Sequence, residues 1–164
     1  MTVEMELVGV RVQMPTNAPI LLLREADGQR RTVPIYIGGP EAHAIDLALS
    51  ATPTARPMTH DLFASVVDGL NATFDRVVIT EMREGTYYAE LFIETAAGET
   101  VTFSCRPSDA IALAARAEIP IFAEEALIDE AGIIEVEDDG EAEEDEMVEE
   151  LRRFLDDVKP EDFK

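Results

Sequence analysis

Residues 73–109 read TFDRVVITEMREGTYYAELFIETAAGETVTFSCRPSD, and their order decides the fold. Two extended runs, Thr73 to Met82 and Thr86 to Glu94, flank Arg83-Glu84-Gly85. A glycine-bearing connection of that length between two such runs is a hairpin signal. The second run alternates around Tyr88, Leu91 and Ile93. Ala97-Gly98 then turns the chain into a third strand, Thr100 to Cys105, which delivers it to Arg106-Pro107-Ser108-Asp109 at the head of a helix predicted over Asp109 to Ala117. On that helix Ile111, Ala112 and Ala115 are expected to face the core.

The preceding residues repeat the scheme. Val3 to Val12 alternates loosely, Ile20 to Arg24 is an apolar run, and Asp27-Gly28 stands before a further extended stretch from Thr32 to Ile37. This reads as a strand followed by a hairpin, with Pro34 suited to an edge strand or a bulge. Gly38-Gly39-Pro40 breaks the strand and opens a helix expected to run to about Ser50, where Ala42, Ile45, Ala48 and Leu49 make the buried stripe and His43 and Asp46 share a face. The glycine pair has neither GxGxxG nor P-loop spacing around it, so it reads as a turn. Residues 51–58 form a loop containing Pro53 and Pro57, and a helix from Asp61 is expected to bury Leu62, Phe63, Val66, Val67 and Leu70 before Gly69 and Asn71 end it. Pro120-Ile121-Phe122 gives a short extended piece, and Glu124 to Ala131 a last helix stopped by Gly132. Helices inserted between groups of hairpin strands indicate an α+β fold with a mostly antiparallel sheet.

The 164 residues are 46% hydrophobic, enough for one real core. The organisation expected is a domain over residues 1–134, an acidic disordered linker over 135–146 and an amphipathic helix over 147–164. Between Glu135 and Glu150 eleven of sixteen residues are acidic, which opposes packing. Met147, Val148, Leu151, Phe154, Leu155 and Val158 then mark one helical face, stopped by Pro160. That helix is expected to dock on its own domain, on a sister subunit in a homo-oligomer, or on another protein. Membrane binding is disfavoured by its acidic polar face. The lone Cys105 excludes an internal disulfide, and with neither a secretory N-terminus nor an apolar run of spanning length a cytoplasmic protein is expected.

Net charge is −22. Residues 1–134 carry 20 acidic and 9 basic side chains, all nine of them arginine, so any affinity for nucleic acid requires those few arginines to be clustered. Two places put arginine beside a helix start: Arg56-Pro57-Met58-Thr59-His60-Asp61 and Arg106-Pro107-Ser108-Asp109. Thr59 and Ser108 are expected N-caps, and Asp61 and Asp109 complement the helix dipole. Both motifs read as caps and equally as anion sites, since arginine beside a helix N-terminus suits phosphate.

Ile35-Tyr36-Ile37-Gly38 followed by Glu41-Ala42, then Arg56-Pro57 with Thr59-His60-Asp61-Leu62, then Arg106-Pro107-Ser108-Asp109-Ala110 and Pro120-Ile121, occur in this order. Over about residues 3–133 the chain thereby resembles the bifunctional nuclease domain family. The resemblance implies an α+β fold of roll type and activity on DNA and RNA, as reported for plant members. It brings Glu41, Arg56, His60, Asp61, Arg106, Ser108 and Asp109 forward as site residues, without roles. One departure is Ser104-Cys105, where many relatives carry an acidic residue and alanine; if that acid is a metal ligand, its loss weakens a nuclease.

Phosphodiester hydrolysis needs an oriented water, positive charge on the non-bridging oxygens and an acid or metal at the leaving oxygen. His60, Asp61 and Glu41 are the catalytic candidates, with His60 as general acid or base. Arg56, Arg106 and Ser108 would bind the phosphate, while Asp109 and Asp61, with Glu41, would hold Mg²⁺ or another divalent cation through one or two carboxylates and several waters. No organic cofactor is expected, no His/Cys cluster has zinc spacing, and Cys105 on a strand is buried rather than reactive. Two functions follow: a low-specificity nuclease acting on DNA or RNA, and a non-catalytic module binding an anion or a partner.

Overall fold

The computed structural model describes residues 1–134, so the linker and helix expected over 135–164 lie outside the described residues. Two three-stranded meanders build its sheet. The first is β1 (Thr2–Gln13), β2 (Ala18–Glu25) and β3 (Thr32–Tyr36), each paired antiparallel with the next. Helices α1 (Gly39–Leu49) and α2 (Thr59–Gly69) follow, and then the second meander, β4 (Thr73–Arg83), β5 (Thr86–Glu94) and β6 (Thr100–Cys105). The β4–β5 turn is a two-residue one, closed by Arg83 opposite Thr86, with Glu84 at φ 52° and Gly85 at φ 77°. Positive φ at both central residues matches the twist of the flanking strands, and the glycine takes that conformation without steric cost.

After α3 (Pro107–Ala117), the short β7 (Ile121–Glu124) inserts between the meanders, antiparallel to β1 and parallel to β4. One seven-stranded open sheet results, in the order β3-β2-β1-β7-β4-β5-β6, and α4 (Glu125–Ala131) completes the described elements. The architecture is therefore mixed, a mostly antiparallel sheet with four helices among the described residues. Pro34 lies in β3, an edge strand, where its missing N–H costs no ladder bond.

Core burial is concentrated under α3, where every residue from Ala110 to Ala114 is buried. Alanines let this helix sit close to the sheet, and Ile111, Ile45, Val77 and Ile79 fill the interface with no exposed surface. Each such aliphatic side chain contributes about 1.5–3 kcal/mol by leaving water. The stripes expected on the other two helices are corrected: α1 buries only Ile45, and α2 buries only Val67. Leu49, Leu62, Phe63, Val66 and Leu70 are all exposed. Both helices pack against α3 and only partly over strands, so each presents a narrow edge to the core and not a full stripe. Phe63 nevertheless stacks on Phe74 of β4, with ring centroids 6.1 Å apart.

Candidate active site

Three helix N-termini meet at one cleft of about 230 Å³. From α1 comes Glu41, in the first turn after Pro40. Its carboxylate folds back over Gly38, where any Cβ would collide with Oε2. Glycine at that position is thus what lets the side chain lie across the helix start.

From α2 comes His60. The N-cap of this helix is Met58, not Thr59, and the N–H of Met58 donates to Oδ2 of Asp61 at 2.8 Å. From α3 come Arg106 and Asp109. Here the expected cap is also corrected: Arg106 is the N-cap, Pro107 takes the first helical position, and Ser108 lies in the first turn and is buried. The cause is proline, which holds its predecessor extended and is itself pre-set for the first position of a helix.

The carboxylate of Asp109 joins these elements. His60 Nε2 stands 3.1 Å from its Oδ1, and Arg106 grips both oxygens, Nε to Oδ2 at 2.6 Å and Nη2 to Oδ1 at 3.0 Å. The third nitrogen of Arg106, Nη1, donates to Glu41 Oε1 at 3.0 Å. Burial works to raise the Asp109 pKa, but the bonds from Arg106 and His60 outweigh it and hold the carboxyl below its ordinary range. Asp109 is therefore ionised and accepts from His60 Nε2–H, which leaves Nδ1 as the ring's acceptor while the ring is neutral. His60 is 15% exposed and Arg106 is 64% exposed, so the imidazole is walled in while the guanidinium meets solvent.

The other expected residues fall elsewhere. Asp61 does not line the cleft; its Oδ1 accepts from Arg116 Nε at 2.7 Å, and Arg116 Nη1 donates to the carbonyls of Ala44 and Ala112. Arg116 thus ties α3 to both α1 and α2 at the opposite end from Arg106. Arg56 is exposed in the 51–58 loop and is not part of the cleft wall. His43, by contrast, lines the cleft with His60. Its position two residues after Glu41 was the available signal. For Arg116 the signal was a basic residue in the last turn of α3.

Glu41 and Asp109 offer hard carboxylate oxygens that converge on one cationic group, the Arg106 guanidinium. Among the described residues no group of three or more His, Cys, Asp or Glu is placed to hold a metal ion. Those residues therefore form no closed protein cage for a metal. Cys105 lies just behind, its Sγ 3.7 Å from the Ala89 carbonyl oxygen. Burial first, then Asp109 and Glu90, push its thiol pKa up to about 11, so it is no nucleophile at neutral pH. Among the described residues no helix is long and apolar enough to cross a membrane.

Residues 21–136, which include every residue of this cleft, match the sequence profile of the bifunctional nuclease domain. Over 98% of its length the chain is 44% identical to an uncharacterized protein of Mycobacterium tuberculosis strain H37Rv, covering 98% of it. It is 31% identical over 79% of its length to bifunctional nuclease 2 of Oryza sativa subsp. japonica, of which it covers 40%. To bifunctional nuclease 1 of Arabidopsis thaliana it is 31% identical over 63% of its length, covering 32% of that protein. The chain thus spans two fifths or less of these two plant proteins.

Proposed function

The chain belongs to the bifunctional nuclease domain family, and from that premise we propose that it hydrolyses DNA or RNA phosphodiesters with low sequence specificity at the cleft of Glu41, His60, Arg106 and Asp109. The observation that carries the reading is the single carboxylate of Asp109 engaged by both an imidazole and a guanidinium. Asp109 fixes His60 so that Nδ1 can take a proton from the attacking water and later return it to the leaving oxygen. Arg106 has five N–H groups, of which the three bonds above use three, and the remaining two suit non-bridging phosphate oxygens. A divalent cation, when bound, would be held by Glu41 and Asp109 and would supply positive charge at the oxygens of the reacting phosphate.

Charge sets a condition on this chemistry. Two carboxylates against one guanidinium leave the cleft one unit negative while His60 is neutral, which repels phosphate. A divalent cation reverses that balance. The test is cleavage of single- and double-stranded DNA and RNA by rigorously purified protein, with Mg²⁺ and with EDTA. Mg²⁺-dependent cleavage supports the reading; no cleavage of any of the four substrates removes it.

The solvent exposure of the Arg106 guanidinium favours a second reading, a non-catalytic module that binds an anion or a partner. Phosphate or nucleic-acid binding that Arg106→Ala abolishes, without any turnover, would select it.

A further inference from the structure

Arg106 borders two cavities, not one. Beyond the cleft just described it also lines a second cavity of about 380 Å³, enclosed by the end of β3, the β4–β5 turn and the start of α3. This volume lies within the range of small-ligand sites. Its walls are chemically unlike those of the first. Tyr36 and Tyr87, the aliphatic Ile35 and Ile37, and Thr86 and Ser108 line it, and among the described residues lining it there is no carboxylate.

We propose that this second cavity is a nucleobase subsite, so that the substrate is a single strand whose base enters between Tyr36 and the α3 start while its phosphate lies on the other side of Arg106. This rests on the phosphodiester reading of the neighbouring cleft. Phenol rings stack on any base, because every base has a π face, and hydroxyls satisfy edge polar groups without imposing a sequence. A lining without carboxylate suits a neutral heterocycle, and the guanidinium at the border suits the attached anion.

Tyr36 is restrained. It is 62% exposed at the end of the edge strand β3, yet its hydroxyl donates to Gln13 Oε1 at 2.7 Å, which holds the ring in place. A large exposed aromatic fixed by its own hydrogen bond presents a ready stacking face at little entropic cost. Tyr87 is half-buried against the core, and burial, then Glu130, raise its pKa, so it stays neutral. A base inside a duplex is stacked and paired and cannot enter such a cavity without being extruded, hence the preference for single strands.

The test is binding of a short fluorescent oligothymidylate, its abasic counterpart of equal length and its duplex with oligodeoxyadenylate, at low salt with Ca²⁺ in solution. Wild type should bind the base-bearing single strand about 5- to 100-fold more tightly than the abasic one, as expected for stacking of one base. Tyr36→Ala should reduce the base-bearing strand to the abasic affinity, while Tyr36→Phe keeps most of the difference. Because Tyr36 is largely exposed, its replacement leaves the core intact. Equal binding of base-bearing and abasic strands by wild type, or a Tyr36→Ala variant that binds as wild type does, overturns the subsite and leaves the phosphate cleft standing. Binding of neither strand overturns both, and tighter binding of the duplex overturns the single-strand preference.

Discussion

His60 and Asp109 are 49 residues apart in the chain and 3.1 Å apart in space, Nε2 to Oδ1. The contact joins the first turn of α2 to the first turn of α3, and the same carboxylate carries the two-point bond from Arg106. Asp109 is therefore the hinge of the arrangement: it sets the imidazole tautomer and restrains the guanidinium.

If this pair does acid–base work, His60→Ala should lower turnover on a nucleic-acid substrate by about 10²–10⁴-fold, with the fold unchanged by circular dichroism. Asp109→Asn should do comparable damage, because it loses the charge that orients His60 and that docks Arg106. Undiminished turnover in purified His60→Ala protein would remove the histidine from the mechanism.

Arg106→Lys keeps the charge but replaces a planar fork by a single ammonium, which cannot span Glu41 and both oxygens of Asp109. Substrate affinity should fall by roughly 10-fold, the scale of one charge-assisted bond. A titration with labelled oligonucleotide measures it, and wild-type affinity in the lysine variant would show that the fork plays no part.

Gly38→Ala tests how Glu41 is held. A methyl group at residue 38 meets Oε2 of the Glu41 carboxylate, which must shift from the position in which Oε1 accepts from Arg106. The expected outcome is a folded protein whose Mg²⁺ requirement for activity moves to higher concentration, since one of its two carboxylate donors is displaced. An unchanged Mg²⁺ titration would mean that Glu41 contributes nothing to holding the ion.

The hairpins were legible in the sequence because glycine turns and period-2 alternation are local signals, but the place of β7 between the two meanders, set by long-range pairing, was not. Pro34 marked an edge strand by the same kind of logic. What could not be read was how far each helix lies over the sheet. Leu62, Phe63, Val66 and Leu70 form a sound apolar stripe on α2, but most of that stripe has no strand beneath it. Side-chain commitments were hidden for a related reason. Asp61 and Asp109 occupy equivalent places in two similar motifs, yet one pairs with Arg116 and the other with Arg106 and His60, a difference set by tertiary approach. Arg116 itself carried only a helix-end signal, too general to single it out.

The Asp61–Arg116 pair should govern part of the acid stability. The Arg116 guanidinium first, and the Met58 N–H second, hold the Asp61 carboxyl below its ordinary range. A carboxyl depressed in the folded state stabilises fully above its unfolded value, near pH 4, and the contribution is lost as pH falls through the lower folded value. Urea unfolding should therefore show stability declining below about pH 4, with a shallower decline in Asp61→Asn. At pH 7 Arg116→Ala should cost about 1–3 kcal/mol, because Arg116 is only 12% exposed and its loss takes the charged donor from Asp61 and one of the donors from each of two helix carbonyls.

Cys105 reports on the same neighbourhood from behind. Its thiol is pushed up to about 11 by burial and then by the charges of Asp109 and Glu90. Alkylation by iodoacetamide at pH 8 should accordingly run far slower than for an unfolded cysteine, whose pKa is about 8.5, and should accelerate steeply as pH approaches 11. The same shift makes the folded protein lose stability between those two values, since the unfolded chain gives up its thiol proton first. Asp109→Asn removes one of the two charges and should raise the alkylation rate, while burial, the larger cause, keeps it below the unfolded rate. A rate at pH 8 equal to that of the unfolded chain would mean that Cys105 is not held against the Ala89 carbonyl. The strand-to-helix junction that carries Arg106 would then be looser than the geometry requires.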